Sequence, residues 1–296
     1  MTEKKSRYAL LLTISFIWGA QFVFNKAALE SFSSILIAAS RASIGMLTLS
    51  IILSFLKPKE SIIENVPISF KLIAQFFLIG LFEATIPFYL VAWGQHYVSS
   101  AVAALLIGTI PIMVIILLTF LRYEKITLFH IISVILGFLG VVILFSDGSQ
   151  QIDLRLHILG ELAVLGGAFS FAASLILIKK LPPMNYIRAA RNILFWSSIQ
   201  MLPFLFVSTN FMEKNPGILA FSSILVLGVF CAGLVYVLYI RLIVQAGAAF
   251  ASFTNYLVPL FGIILGVCFF KEELHWNMII SMLLILSALL INEIKN

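Results

Sequence analysis

The chain's chemical potential rests in a few polar and ionisable residues set among apolar ones. Glu83 stands alone as an acid well inside a long apolar run, with Pro87 one helical turn later on the same face. A helix proline lacks an N–H, so it frees a carbonyl and bends the axis. Holding Glu83 neutral at pH 7 in hydrocarbon costs about 3.7 kcal/mol from the reference carboxyl value, and leaving it ionised costs more. The group therefore either meets a wet cavity or carries a proton. Either state suits a cation or amine contact, or proton coupling. The plainer alternative is a protonated glutamate hydrogen-bonded to a neighbouring helix.

Arg41 and Arg191 lie in related settings, Ala39-Ser40-Arg41 and Ala189-Ala190-Arg191. Buried arginines in a membrane face protein or water. Each therefore bonds carbonyls at a helix break, anchors to headgroups or lines a solute path. Pro111 follows Gly108-Thr109, and Pro259 follows Thr254-Asn255-Tyr256. Helices interrupted near the membrane midplane at matching places are the best sequence pointer to a transporter's binding site. Candidate solute-binding residues are therefore Glu83, Trp18, Gln21, Asn25, Tyr236, Tyr239, Asn255 and Tyr256, with Glu83 also the candidate proton-coupling group. The two tyrosines at 236 and 239 can equally be interfacial anchors, and Lys26 reads as a snorkelling lysine with Glu30 one turn on. The four histidines lack ligand spacing, so neither a metal site nor a cofactor is expected.

The elements that must carry these groups are membrane helices. At 61% hydrophobic and 11% charged, with a mean hydropathy of +1.10, the chain is far more apolar than a soluble domain. Ten apolar runs are long enough to span a bilayer, at roughly 8–29, 34–56, 70–93, 98–121, 126–145, 156–178, 187–207, 218–240, 247–270 and 276–292. Continuous rather than alternating hydrophobicity argues for helices over a barrel. The first run is too long for a signal-peptide core and reads as an uncleaved insertion signal. Basic residues gather on alternate loops, among them Lys4, Lys5, Arg7, Lys57, Lys59, Arg122, Lys125, Lys179, Lys180 and Arg241, which places both termini in the cytoplasm. The net charge of +6 thus has a topological cause and forms no nucleic-acid patch. Cys231 and Cys268 fall at different depths, which excludes a disulfide between them.

The chain also repeats itself. With an ungapped shift of 148 residues, Gly80 meets Gly228, Phe82 meets Phe230, Ala84 meets Ala232, Pro111 meets Pro259, Glu124 meets Glu272, and Ile131-Ile132-Ser133 meets Ile279-Ile280-Ser281. The expected organisation is one five-helix repeat over 1–145, a linker at 146–155 and a second repeat over 156–296. Five is odd, so the second copy enters the membrane from the opposite side. The expected fold is therefore an all-α membrane protein of ten transmembrane helices in two inverted repeats, able to rock about a central site. The copies differ in their polar residues, with Cys231 opposite Glu83 and Tyr256 opposite Gly108.

Trp18-Gly19-Ala20-Gln21-Phe22-Val23-Phe24-Asn25-Lys26-Ala27-Ala28-Leu29, Arg41, Pro87-Phe88-Tyr89-Leu90-Val91-Ala92-Trp93-Gly94, Pro111 and Glu124, in this order and spacing, resemble the EamA-type proteins of the drug/metabolite transporter superfamily. The resemblance covers nearly the whole chain, including the repeat with Pro259 and Glu272. It implies a carrier of the bacterial inner membrane, commonly an exporter of amino acids or other small metabolites, with a cavity lined by spans one, three, four, six, eight and nine. Glu83 departs from the family pattern, in which a small or amide residue is more usual. Glu124 and Glu272 are read as caps or loop anchors. The expected partners are a small-molecule solute and membrane lipid, with no nucleic acid. No nucleotide-binding loop supports an ATPase. A membrane enzyme on a lipid substrate lacks the clustered acids or histidines it would need, and the prolines and Glu83 argue against a nontransporting scaffold.

Overall fold

A computed structural model describes residues 2–55, 69–98, 100–122, 127–144, 154–207, 215–261 and 276–293. Among them every regular element is a helix. α1 (Thr2–Leu29) and α2 (Ser34–Phe55) are continuous. The next span is composite: α3 (Phe70–Gly80) passes through a π-helical segment, Leu81–Thr85, into α4 (Ile86–Gly94). α5 (Ser100–Ile107) and α6 (Ile110–Phe120) are separated at Gly108-Thr109, and α7 (Leu128–Leu144) follows.

α8 (Leu154–Lys179) and α9 (Tyr186–Val207) are again continuous. α10 (Ile218–Gly228) then passes through a second π segment, Val229–Leu234, into α11 (Val235–Ser252). After a turn at Phe253 comes α12 (254–261), and α13 (Trp276–Glu293) is the last helix described. Glu124, Cys268, Glu272 and the linker core at 146–153 lie outside the described residues.

Five helical stretches are long and apolar enough to cross a bilayer: Lys5–Leu29, Ser34–Phe55, Phe70–Gly94, His157–Lys179 and Ile218–Ser252. The shorter apolar helices Ile110–Phe120 and Leu128–Gly140 add to them. The expected run 98–121 is shortened by its break at Gly108-Thr109, and α9 carries Arg188 and Arg191 within it. The expected boundary between runs 218–240 and 247–270 appears as Gly247 at φ 87°, a backbone angle that glycine adopts without a Cβ penalty.

Packing crosses between the halves of the chain. α7 lies against α13, α2 against α9, α4 against α8, and α1 against α10 and α11. The 148-residue shift carries α7 onto α13, α4 onto α11 and α1 onto α8, so the α4–α8 contact has its counterpart in α1–α11. In lipid such contacts depend on close approach, because the solvent is as apolar as the side chains. Gly94 and Gly160 supply it between α4 and α8: a Cβ on Gly94 would stand 2.7 Å from the Gly160 carbonyl oxygen.

Candidate functional site

Both π segments are places where the helical ladder skips a carbonyl. In the first, Ile86 N–H reaches back to Leu81 O, which leaves Phe82 O without its usual donor. One residue on, Pro87 has no N–H to give to Glu83 O. Both carbonyls are taken by side chains from the other half of the chain. Ser170 Oγ donates to Phe82 O at 2.7 Å, and Tyr236 OH donates to Glu83 O at 2.9 Å.

The second segment shows the same arrangement with the halves exchanged. Val235 N–H reaches Phe230 O, so Cys231 O is skipped. It accepts from Trp18 Nε1 at 3.2 Å and from Arg41 Nη2 at 3.0 Å, both in the first half. Residues 81–85 shifted by 148 become 229–233, so the two segments occupy the same place in the sequence repeat.

Beside Trp18, Arg41 and Tyr236, the side chains that answer these carbonyls, is a cavity of about 20 Å³, room for roughly one water molecule. Trp18, Gln21, Arg41, Pro87, Phe88, Tyr236, Tyr239 and Asn255 line it together with apolar residues that include Ile107 and Ile110. Trp18 packs edge-on against Tyr239, with ring centroids 4.6 Å apart, and more loosely against Tyr236. Arg41 is buried. One of its nitrogens donates to Gln21 Oε1 at 2.7 Å, and its guanidinium lies 4.0 Å above the Phe88 ring. Pro111 and Pro259 each withhold an N–H from the carbonyl four residues earlier, on Ile107 and Asn255, and both of those residues face the cavity.

Glu83 is fully buried behind Tyr236. Its Oε2 is bonded to Ser174 Oγ, while Oε1 is enclosed without a hydrogen-bond partner among the described residues. Among the described residues Glu83 and Arg41 are not joined as an ion pair; Arg41 donates instead to Gln21 and to Cys231 O. The Ser174 hydroxyl also lies 2.7 Å from Phe171 O. It has one hydrogen to give. If that hydrogen goes to Glu83, the carboxylate is held as an anion; if it goes to Phe171 O, a proton on Glu83 can complete the bond to Ser174.

The other expected binders are placed elsewhere. Asn25 donates to Gln95 Oε1 at 2.6 Å, Lys26 Nζ donates to Gln95 O at 2.8 Å, and Gln95 Nε2 reaches Phe22 O at 3.4 Å. This clasp joins the end of α1 to the end of α4. Lys26 is thus tied to a backbone carbonyl of the neighbouring helix. Tyr256 is fully buried, and its hydroxyl donates to Val134 O at 2.8 Å across α12 and α7. Its ring lies against Gly137, where an added Cβ would come within 2.5 Å of it.

Tyr236 and Tyr239 are both buried in the centre, so the alternative of interfacial anchors does not hold for them. Arg191 is half-buried in α9 and does not line the cavity; its Nε has no hydrogen-bond partner among the described residues. The second-half break falls at Phe253, about one turn before the position that matches Gly108-Thr109. Tyr256 stands where Gly108 does, and its N–H is bonded to Phe253 O in a continuing helix.

Sequence reasoning did not find Gln95 or the pairing of Phe88 with Arg41. The polar chain in which Thr85 Oγ1 meets Ser197 and Gln200, with Gln200 Nε2 on Phe77 O, was also unforeseen. The signal for these was weak: a glutamine in an aromatic belt and isolated polar residues in apolar helices.

The model of the EamA-like transporter family matches residues 5–146 and 158–293. An uncharacterized transporter of Bacillus subtilis, YoaV, is 23% identical over 283 residues, covering 95% of this chain and 94% of its own. An uncharacterized transporter of Archaeoglobus fulgidus is 26% identical over 270 residues, covering 91% and 92%. A solved crystal structure shares the fold, with a TM-score of 0.76 at 13% identity over 98% of this chain and 97% of that one.

Proposed function

The chain belongs to the EamA-like transporter family, and from that premise we propose that it is a secondary active exporter of amino acids or related small metabolites, coupled to protons through Glu83. It works by alternating access in the bacterial inner membrane, as ten helices in two inverted five-helix repeats with both termini cytoplasmic. The proposed repeats cover 1–145 and 156–296, joined by the linker at 146–155. The exchange of carbonyl partners between the two π segments supports the two-copy reading. So does the packing of α7 on α13, its counterpart at the same 148-residue shift.

The observation that carries the coupling is the setting of Glu83. One carboxylate oxygen meets a serine hydroxyl that has a second acceptor within reach, and the other is buried without a partner among the described residues. Turning one hydroxyl switches which protonation state of the carboxyl is bonded, and because Glu83 is fully buried a proton reaches or leaves it only when the surrounding helices part. Its backbone carbonyl holds Tyr236, a wall of the cavity. A shift of the backbone at residue 83 therefore moves the surface that a solute touches.

π segments place the pivots. A helix with a skipped carbonyl bends there at less cost than elsewhere, because the ladder is already interrupted. The central cavity is closed to about the volume of one water, and the Asn25–Gln95 clasp ties α1 to α4 at one end. Rocking of α4 and α11 about their π segments opens the cavity to a solute. Trp18, Gln21, Arg41, Tyr236, Tyr239 and Asn255 then provide aromatic faces, a cation and amide groups for a small polar molecule.

The test is flux into proteoliposomes over a panel of amino acids, amines and small metabolites, with and without an imposed pH gradient. Accumulation of a panel member driven by the gradient supports the reading. A folded, purified protein that moves none of them contradicts it.

A further inference from the structure

A second cavity, of about 540 Å³, lies away from the centre, where the end of α8, the connection at 180–185 and the start of α9 meet α11. Pro182, Pro183, Val237 and Val244 give it an apolar wall, and Lys179 and Arg241 stand on its lining as exposed cations. No carboxylate lines it among the described residues. The sequence deepens the imbalance: no Asp or Glu occurs between Glu161 and Glu213, or between Glu213 and Glu272, the stretches that supply all of this lining.

Two adjacent prolines fix φ along the connection, so this part of the wall is preset rather than formed on binding. The first turn of α9 is not the source of positive charge. Asn185 Oδ1 already accepts from Ile187 N–H at 2.9 Å and from Arg188 N–H at 3.3 Å. The cationic character therefore comes from the two side chains. On the topology expected from the basic residues, the connection between α8 and α9 is cytoplasmic, which puts the cavity at the end of two membrane helices on that side.

We propose that this cavity is a binding site for one anionic phospholipid, its phosphate between Lys179 and Arg241 and an acyl chain along the wall formed by Pro182, Pro183, Val237 and Val244. Charge complementarity selects the headgroup. Basic pockets between membrane helices are the recurring form of anionic-lipid sites. The apolar wall selects a lipid over a soluble phosphate, which has nothing to place there. A bound lipid would join the end of α8 to α11. The inference requires only the membrane location and is independent of the role of Glu83.

Native mass spectrometry of the full chain, released from micelles containing equal phosphatidylglycerol and phosphatidylcholine, tests it. One phosphatidylglycerol should be retained in preference to phosphatidylcholine. The Lys179→Gln/Arg241→Gln variant should lose that preference by about thirtyfold, from the usual contribution of two basic residues at a headgroup. Lys71→Gln, which removes a cation elsewhere, should keep it. Val237→Trp, which fills the wall and leaves both cations, should also lose the lipid, and excess glycerol 3-phosphate should not displace it. Equal retention of the two lipids by the unaltered chain overturns the proposal, as does preference that survives the double substitution. Displacement by glycerol 3-phosphate at concentrations matching the lipid would show a simple phosphate site and also overturn it.

Discussion

Replacing Tyr236 by phenylalanine removes the hydroxyl that holds Glu83 O at 2.9 Å and leaves the aromatic ring in place. That carbonyl has no helical donor because residue 87 is proline. A buried acceptor left without a partner costs about 1–3 kcal/mol in soluble proteins. Hydrogen bonds between membrane helices average nearer 0.6 kcal/mol, because the unfolded chain in the membrane finds other partners. The expected loss for Tyr236→Phe is therefore about 0.5–1.5 kcal/mol. With Pro87→Ala, residue 87 regains an N–H that can serve the same carbonyl, and the loss from Tyr236→Phe should shrink towards zero. The two substitutions should thus couple by most of the single-variant loss, a result a double-mutant cycle isolates. Reversible unfolding in mixed micelles measures it. An equal loss from Tyr236→Phe in both backgrounds would refute the claim that proline and tyrosine share one carbonyl.

Other substitutions test separate parts of the account. Gly137→Ala drives a Cβ into the Tyr256 ring and should destabilise the α7–α12 contact by about 1–3 kcal/mol in the same unfolding assay, whereas Gly217→Ala, whose Cβ meets none of the described residues, should be close to neutral. Ser174→Ala should reduce flux driven by a pH gradient while solute exchange without a gradient persists; equal losses in both would assign Ser174 a structural role only. Gln95→Ala removes two side-chain bonds of the clasp, worth about 1 kcal/mol together at membrane averages, or about fivefold in a closed-to-open ratio. With Cys231 and Cys268 changed to serine, alkylation of a cysteine introduced at Gln21 should rise by that factor, and an unchanged rate would show that the clasp does not control access.

Much of this was legible in the residues because periodicity and proline chemistry are local. The 148-residue register read from Gly80, Phe82, Ala84 and Pro111 brings the first π segment onto the second, although nothing in either stretch names a π turn. Pro87 announces a free carbonyl at Glu83, and Trp18, Gln21, Tyr236, Tyr239 and Asn255 do meet at one cavity. What the sequence withholds is which side chain answers which carbonyl. Tyr236 lies 153 residues from Glu83 and Trp18 lies 213 from Cys231, so those pairings depend on tertiary approach. Local pattern also leaves unnamed the partners of Asn25 and Tyr256. Each is a polar group near a cavity-facing turn, but Gln95 captures one and Val134 O the other.

The Phe253 break shows the same limit. Matching prolines predict matching interruptions, yet the second falls a turn earlier than the first, where Tyr256 is anchored through its hydroxyl. The interruption moves to the preceding turn. Conformation at an interrupted helix is thus decided by what the flanking side chains can reach, with the proline setting only the neighbourhood.

The central claim is that Glu83 couples proton movement to solute movement. Its most direct test compares wild type with Glu83→Gln in proteoliposomes, measuring flux of a transported solute under an imposed pH gradient and solute exchange with no gradient. The account predicts that Glu83→Gln abolishes the gradient-driven flux and retains the exchange. Gradient-driven flux in Glu83→Gln equal to that of the wild type would contradict it.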